Sequence, residues 1–134
     1  MQQTFFLKNK NRFILPAIGW LILSTVLLTL PASAFPKEKW YTQIPMFDKG
    51  VHIGMCCIMA GLLCCGIYKK KTFPRKLKND FVIMGVLCLI YGIAMEFVQR
   101  YFIPNRSFDM GDIIADGAGA TAGVLYSFKR YVKK

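Results

Sequence analysis

Four apolar runs, Phe13–Leu30, Val51–Tyr68, Phe81–Val98 and Ile113–Phe128, take up most of the chain, and the charges fall in clumps between them. An eighteen-residue helix reaches about 27 Å, close to the ~30 Å of hydrocarbon in a bilayer. None of the runs alternates apolar and polar residues with period two, so strands are excluded. The fourth becomes a full span if Met110–Asp112 form its first turn. The expected fold is therefore an all-α membrane protein: one domain, 1–134, built as a bundle of four transmembrane helices at approximately 13–30, 51–68, 81–98 and 110–128. A hydrophobic share of 54% agrees, being more than a soluble domain needs.

The charge clumps alternate in kind. Lys8, Lys10 and Arg12 precede the first run. Lys69, Lys70, Lys71, Arg75, Lys76 and Lys78, against Asp80, separate the second and third. Lys129, Arg130, Lys133 and Lys134 follow the fourth. The other two connections are close to neutral, with Lys37, Lys39 and Lys49 against Glu38 and Asp48, and Arg100 and Arg106 against Asp109 and Asp112. The positive-inside rule then puts both termini and the basic loop in the cytoplasm, an N-in/C-in arrangement in a bacterial inner membrane. Trp40, Tyr41, Tyr101 and Phe102 fall where outer interfacial aromatics belong. The net charge of +11 needs no nucleic-acid partner, because the basic residues flank apolar runs instead of lining a polar, aromatic-studded face. Lys8–Arg12, the first run and Ala32-Ser33-Ala34 together have the form of a cleavable signal. The run exceeds a signal core, and the charge pattern closes only with all four helices, so the expectation is that this segment is retained. Five cysteines, Cys56, Cys57, Cys64, Cys65 and Cys88, lie within spans, which implies no disulfide. They read as small apolar filler.

Acid is concentrated near one end of the bundle. Glu96, Asp109, Asp112 and Asp116 are four of the seven acidic residues. With the topology above, Asp48, Lys49 and His52 open the second span, Glu96, Gln99 and Arg100 close the third, and Asp109, Asp112 and Asp116 open the fourth, all at the outer surface. Helical spacing aligns Asp48, His52 and Cys56 on one stripe, Cys88, Gly92, Glu96 and Gln99 on another, and Asp112, Asp116, Gly119 or Ala120, and Gly123 on a third. Gly92, Gly119 and Gly123 are candidate sites of close helix packing. An Asp in the middle of a span costs about 2.5–3.5 kcal/mol on insertion scales, so these groups should face one another. Asp109 or Ser107 can cap the fourth helix. One reading is a structural network of caps and ion pairs. The other is an outward-facing polar pocket formed by Asp48, Lys49, His52, Glu96, Gln99, Arg106, Asp109, Asp112 and Asp116. The convergence of carboxylates, an imidazole, an amide and guanidinium groups favours the pocket.

Three motifs in order, Phe47-Asp48-Lys49-x-x-His52, then Tyr91-Gly92-x-x-x-Glu96-x-x-Gln99, then Pro104-x-Arg106-x-x-Asp109-x-x-Asp112-x-x-x-Asp116-x-x-Gly119, resemble the VanZ-like family of small bacterial membrane proteins. The likeness runs from 47 to 126, and the first span fits the family's leading helix. The family usually has Asn where this chain has Asp116, so this site is more acidic than its usual form. The resemblance implies an integral protein of the cell envelope, in a family whose name member is associated with low-level teicoplanin resistance. On that footing the expected function is binding of an amphipathic or lipid-linked ligand, such as a cell-wall precursor or a lipid headgroup, by Arg100 and Arg106 oriented by the acids. An alternative is a membrane enzyme acting on a lipid-linked phosphate or ester. Glu96 would then be general acid or base, and Asp112, Asp116 and His52 would hold a divalent cation. That alternative lacks a nucleophile motif or a dense metal-ligand motif. A carrier function is disfavoured because no acidic or basic residue lies in the cytoplasmic half of any span.

Overall fold

The computed structural model describes residues 14–34, 43–70 and 77–133. Over these residues the protein is helical and contains no strand. Helix α1 is Leu15–Thr29, α2 is Phe47–Lys70, α3 is Leu77–Phe102 and α4 is Met110–Ser127. A 3-10 turn, Ala32–Ala34, follows α1, and a π-helical turn, Phe128–Val132, continues α4. The flank Lys8–Arg12, the pair Trp40 and Tyr41, and the loop residues Lys71, Arg75 and Lys76 lie outside the described residues.

Each helix has a local cause. Pro16 stands in the first turn of α1, where its missing N–H is not needed. Asp109 is extended (φ −122°, ψ 114°), and its side chain accepts the Gly111 N–H at 2.7 Å, which starts α4. Both α2 and α3 begin four residues before their apolar runs, and α3 also runs four residues past its own. Polar ends such as Asp48 and Arg100 continue the helix without being apolar. Asn105 takes a positive φ of 60° in the turn between α3 and α4, a conformation that Asn tolerates better than most residues.

The bundle has an apolar exterior, and part of its interior is polar. Val82, Ile83, Val86, Leu87 and Ile90 of α3 are exposed, as are Ile18, Ile22 and Val26 of α1, whereas Glu96 and Gln99 are buried. Water would penalise that inversion and hydrocarbon favours it. Two helices, Phe47–Lys69 and Leu77–Phe102, are long and apolar enough to cross a membrane. Helix α1 is apolar but has 15 residues. In α4, Asp112, Asp116 and the glycines dilute the apolar content.

Helices α2 and α4 touch backbone to backbone. A Cβ on Gly119 would overlap the carbonyl oxygen of Ile53, and one on Gly123 would lie 2.5 Å from the carbonyl oxygen of Cys57 and 2.8 Å from Ala60 Cβ. Helix α1 is tied on by side chains. Trp20 Nε1 donates to the Met55 carbonyl at 3.0 Å, and Thr25 and Tyr91 share a hydroxyl hydrogen bond of 2.9 Å. An apolar core of Met59, Ala60, Cys64, Leu77, Phe81, Cys88, Ala120 and Val124 fills the half of the bundle that contains the C-terminus of α2. Phe81 stacks on Phe128 there, at a centroid separation of 5.8 Å.

Candidate functional site

The other half of the bundle is polar. Three helix ends meet there because α2 and α4 start where α3 finishes. Glu96 (1% exposed), Gln99 (2%), His52 (3%), Asp116 (3%) and Asp112 (5%) are buried at this end. The close approach at Gly119 brings the first two turns of α2 and α4 into register. His52 and Asp116 can then bond directly, with His52 Nδ1 3.0 Å from Asp116 Oδ1. Gly92 makes room for that carboxylate, since a Cβ at 92 would overlap Asp116 Oδ2.

Hydrogen bonds and one longer charged contact join these groups into a connected set. Lys49 Nζ donates to Asp109 Oδ2 at 2.7 Å and to Asp112 Oδ1 at 3.2 Å. The other oxygen of Asp112, Oδ2, lies 3.7 Å from His52 Nε2. Cys56 Sγ donates to Asp116 Oδ1 at 3.3 Å. The Asp109 N–H donates to Glu96 Oε2 at 3.1 Å, which joins the end of α3 to the start of α4. At the rim, the Lys49 ammonium and the Gly111 N–H hold the Asp109 carboxyl below its ordinary range. Three buried side-chain atoms have no hydrogen-bond partner among the described residues: Ser24 Oγ, Glu96 Oε1 and Arg106 Nε. Beside the cluster, a cavity of about 10 Å³ is lined by Ser24, His52, Cys56, Tyr91, Gly92 and Asp116, among others. That is about the space of one water.

The positions singled out in the sequence divide into three groups. Lys49, His52, Glu96, Asp109, Asp112 and Asp116 form the connected set. Asp48 is exposed at the opening of α2, near His52 and Asp112. Gln99 is turned away, and its Nε2 donates to the Leu28 carbonyl at 2.9 Å, satisfying one of the open carbonyls in the last turn of α1. The arginines do not supply the expected counter-charge. Arg100 is exposed, with its guanidinium 5.7 Å from the Tyr101 ring centroid, and Lys49 is the cation paired with Asp109 and Asp112. Cys56 is an addition to the site. Its signal was its place on the Asp48–His52 stripe, obscured by its small apolar character. The Thr25–Tyr91 bond had no such signal, because the rotation of α1 depends on packing.

An all-helical bundle with an apolar exterior, at least two helices able to span a bilayer and a buried charged cluster at one end is a membrane protein. The VanZ/LLP1 family model matches residues 8–130, and the chain belongs to that family. No curated protein and no solved structure matches it.

Proposed function

We propose that the chain is a four-span protein of a bacterial cytoplasmic membrane, with both termini in the cytoplasm. In this reading its polar end binds the anionic headgroup of an amphipathic or lipid-linked ligand at the outer leaflet. A lipid-linked cell-wall precursor fits that chemistry, and such binding would underlie a contribution to teicoplanin-type glycopeptide tolerance. The observation that carries the reading is Arg106, whose buried Nε has no acceptor among the described residues, on the turn that leads to Asp109. A guanidinium in that state matches phosphate oxygens, which accept two parallel hydrogen bonds. Lys49, bound to Asp109 and Asp112, adds positive charge at the same end. Family membership supports the envelope setting.

A membrane enzyme with Glu96 as general acid or base is favoured by the unpartnered Glu96 Oε1. Against it stands the lack of a nucleophile motif or a dense metal-ligand motif in the sequence. The test is teicoplanin susceptibility of a bacterium expressing wild-type protein, Arg106→Ala or Glu96→Gln. It is paired with binding of each purified protein to vesicles containing a lipid pyrophosphate. Headgroup binding predicts loss of both signals in Arg106→Ala and retention in Glu96→Gln. The reverse pattern would move the assignment to the enzyme, and no effect from either would leave a structural network.

A further inference from the structure

Acidic groups outnumber the cationic groups bonded to them at this end of the bundle. Asp48, Glu96, Asp109, Asp112 and Asp116 converge there, and Lys49 and His52 are the cationic partners in its bonded set. Buried carboxylates persist in an apolar surround only with protons or cations to offset them. Three of these side chains, Asp48, His52 and Asp112, each offer one ligand-type atom, and these atoms all lie within 4.8 Å of one another.

His52 is the second, independent sign. Its buried ring is held on one side by the Nδ1–Asp116 Oδ1 contact at 3.0 Å. A proton on Nδ1, donated to Asp116, leaves the lone pair on Nε2. That lone pair faces Asp112 Oδ2 at 3.7 Å, outside hydrogen-bond distance. Two ligands on one first-row cation, bonded at about 2.0–2.1 Å, stand roughly 3.3 Å apart in tetrahedral geometry. The observed spacing closes to that value with a small side-chain movement. Lys49 is bonded to the other oxygen of that carboxylate, Asp112 Oδ1. Glu96 Oε1, also buried and unpartnered, lies within electrostatic reach of Asp112, His52 and Asp116.

We propose that Asp48, His52 and Asp112 form a site for a divalent transition-metal cation of the zinc type, with Asp116 as the positioning residue that orients His52. One imidazole and two carboxylates are a hard-to-borderline donor set suited to such cations. The carboxylate behind the imidazole fixes the tautomer and raises the basicity of the ligating nitrogen. Three protein ligands leave a coordination position open toward the exposed Asp48 side. The site stands on ligand geometry alone.

The test is a Co²⁺ titration of the full chain in detergent micelles, with any affinity tag removed, read by visible absorption and followed by Zn²⁺ competition. The expected result is one saturable equivalent, a ligand-field band without thiolate charge transfer, and displacement by Zn²⁺. Asp48→Asn changes an exposed side chain, so it keeps the experiment decisive even where His52→Gln fails to fold, and it should weaken binding at least tenfold. Asp116→Asn removes no ligand and should still weaken it about 10–100-fold. Absence of saturable binding, a thiolate band that places the metal on the cysteines, or unchanged affinity in Asp48→Asn would each overturn the assignment. Because the probe is the metal alone, failure here leaves the vesicle-binding result to stand or fall separately.

Discussion

Substituting Gly119 by Ala tests whether backbone contact between α2 and α4 builds the site. An added Cβ would overlap the Ile53 carbonyl oxygen and come within 2.9 Å of that residue's carbonyl carbon and Cα, where ordinary contacts are 3.4–4 Å. Every atom it meets is helix backbone, so no rotamer change relieves the clash, and the helices must part by roughly 1 Å. Overpacking of this kind costs about 1–3 kcal/mol, while Ala for Gly in a helix returns about 1 kcal/mol. The net expectation is a loss of up to about 2 kcal/mol. The control lies two residues away. A Cβ on Gly117 would sit 3.6 Å from Leu89 Cδ1, an ordinary contact, so Gly117→Ala keeps the helix gain without the clash. Thermal unfolding in detergent, followed with a thiol-reactive fluorophore that reports release of buried Cys56, Cys64 and Cys88, measures both variants. Gly119→Ala should melt several degrees below wild type and Gly117→Ala at or above it. Equal melting temperatures for the two would refute the close-approach argument.

Other perturbations address the cluster and the topology. Gly92→Ala places a methyl on the Asp116 carboxylate and should weaken the Co²⁺ site while leaving the fold intact, as read by the titration and melting temperature together. Glu96→Gln keeps an acceptor for the Asp109 N–H and should be at least as stable as wild type. Glu96→Ala strands that donor and should lose about 1–3 kcal/mol in the same melting assay. Asp109→Ala removes both the cap of α4 and the partner of Lys49 and should lower the melting temperature. The folded-state pKa of Asp109 is depressed. Its contribution is therefore present above the ordinary value of 3.8 and lost as pH falls through the lowered one, and melting below about pH 4 should be less acid-sensitive in Asp109→Asn than in wild type. A cysteine introduced at exposed Ser107 should react with a membrane-impermeant reagent from outside intact cells. Labelling only after the cytoplasmic face is opened would reverse the proposed orientation.

The sequence by itself determined the helices, because length, hydropathy and cap chemistry are local. The four apolar runs correspond to α1–α4, and Asp109 is the N-cap of α4 as its side chain and position suggest. The helix ends were less legible. Asp48, Lys49 and Arg100 continue α2 and α3 because a polar residue at a helix terminus still completes the backbone ladder. Spacing also placed Asp48, His52, Asp112 and Asp116 on stripes at one end. Partnership between helices was not legible, since it depends on rotation and separation that periodicity leaves free. Only the tertiary structure decided that Gln99 serves the last turn of α1, that Lys49 and not Arg100 meets the acids, and that Asp116 stands behind His52 while Asp48 stands in front. The physical reason is the α2–α4 approach at Gly119 and Gly123. Backbone contact there fixes the two helices' relative register, and that register determines which side of the imidazole each carboxylate occupies.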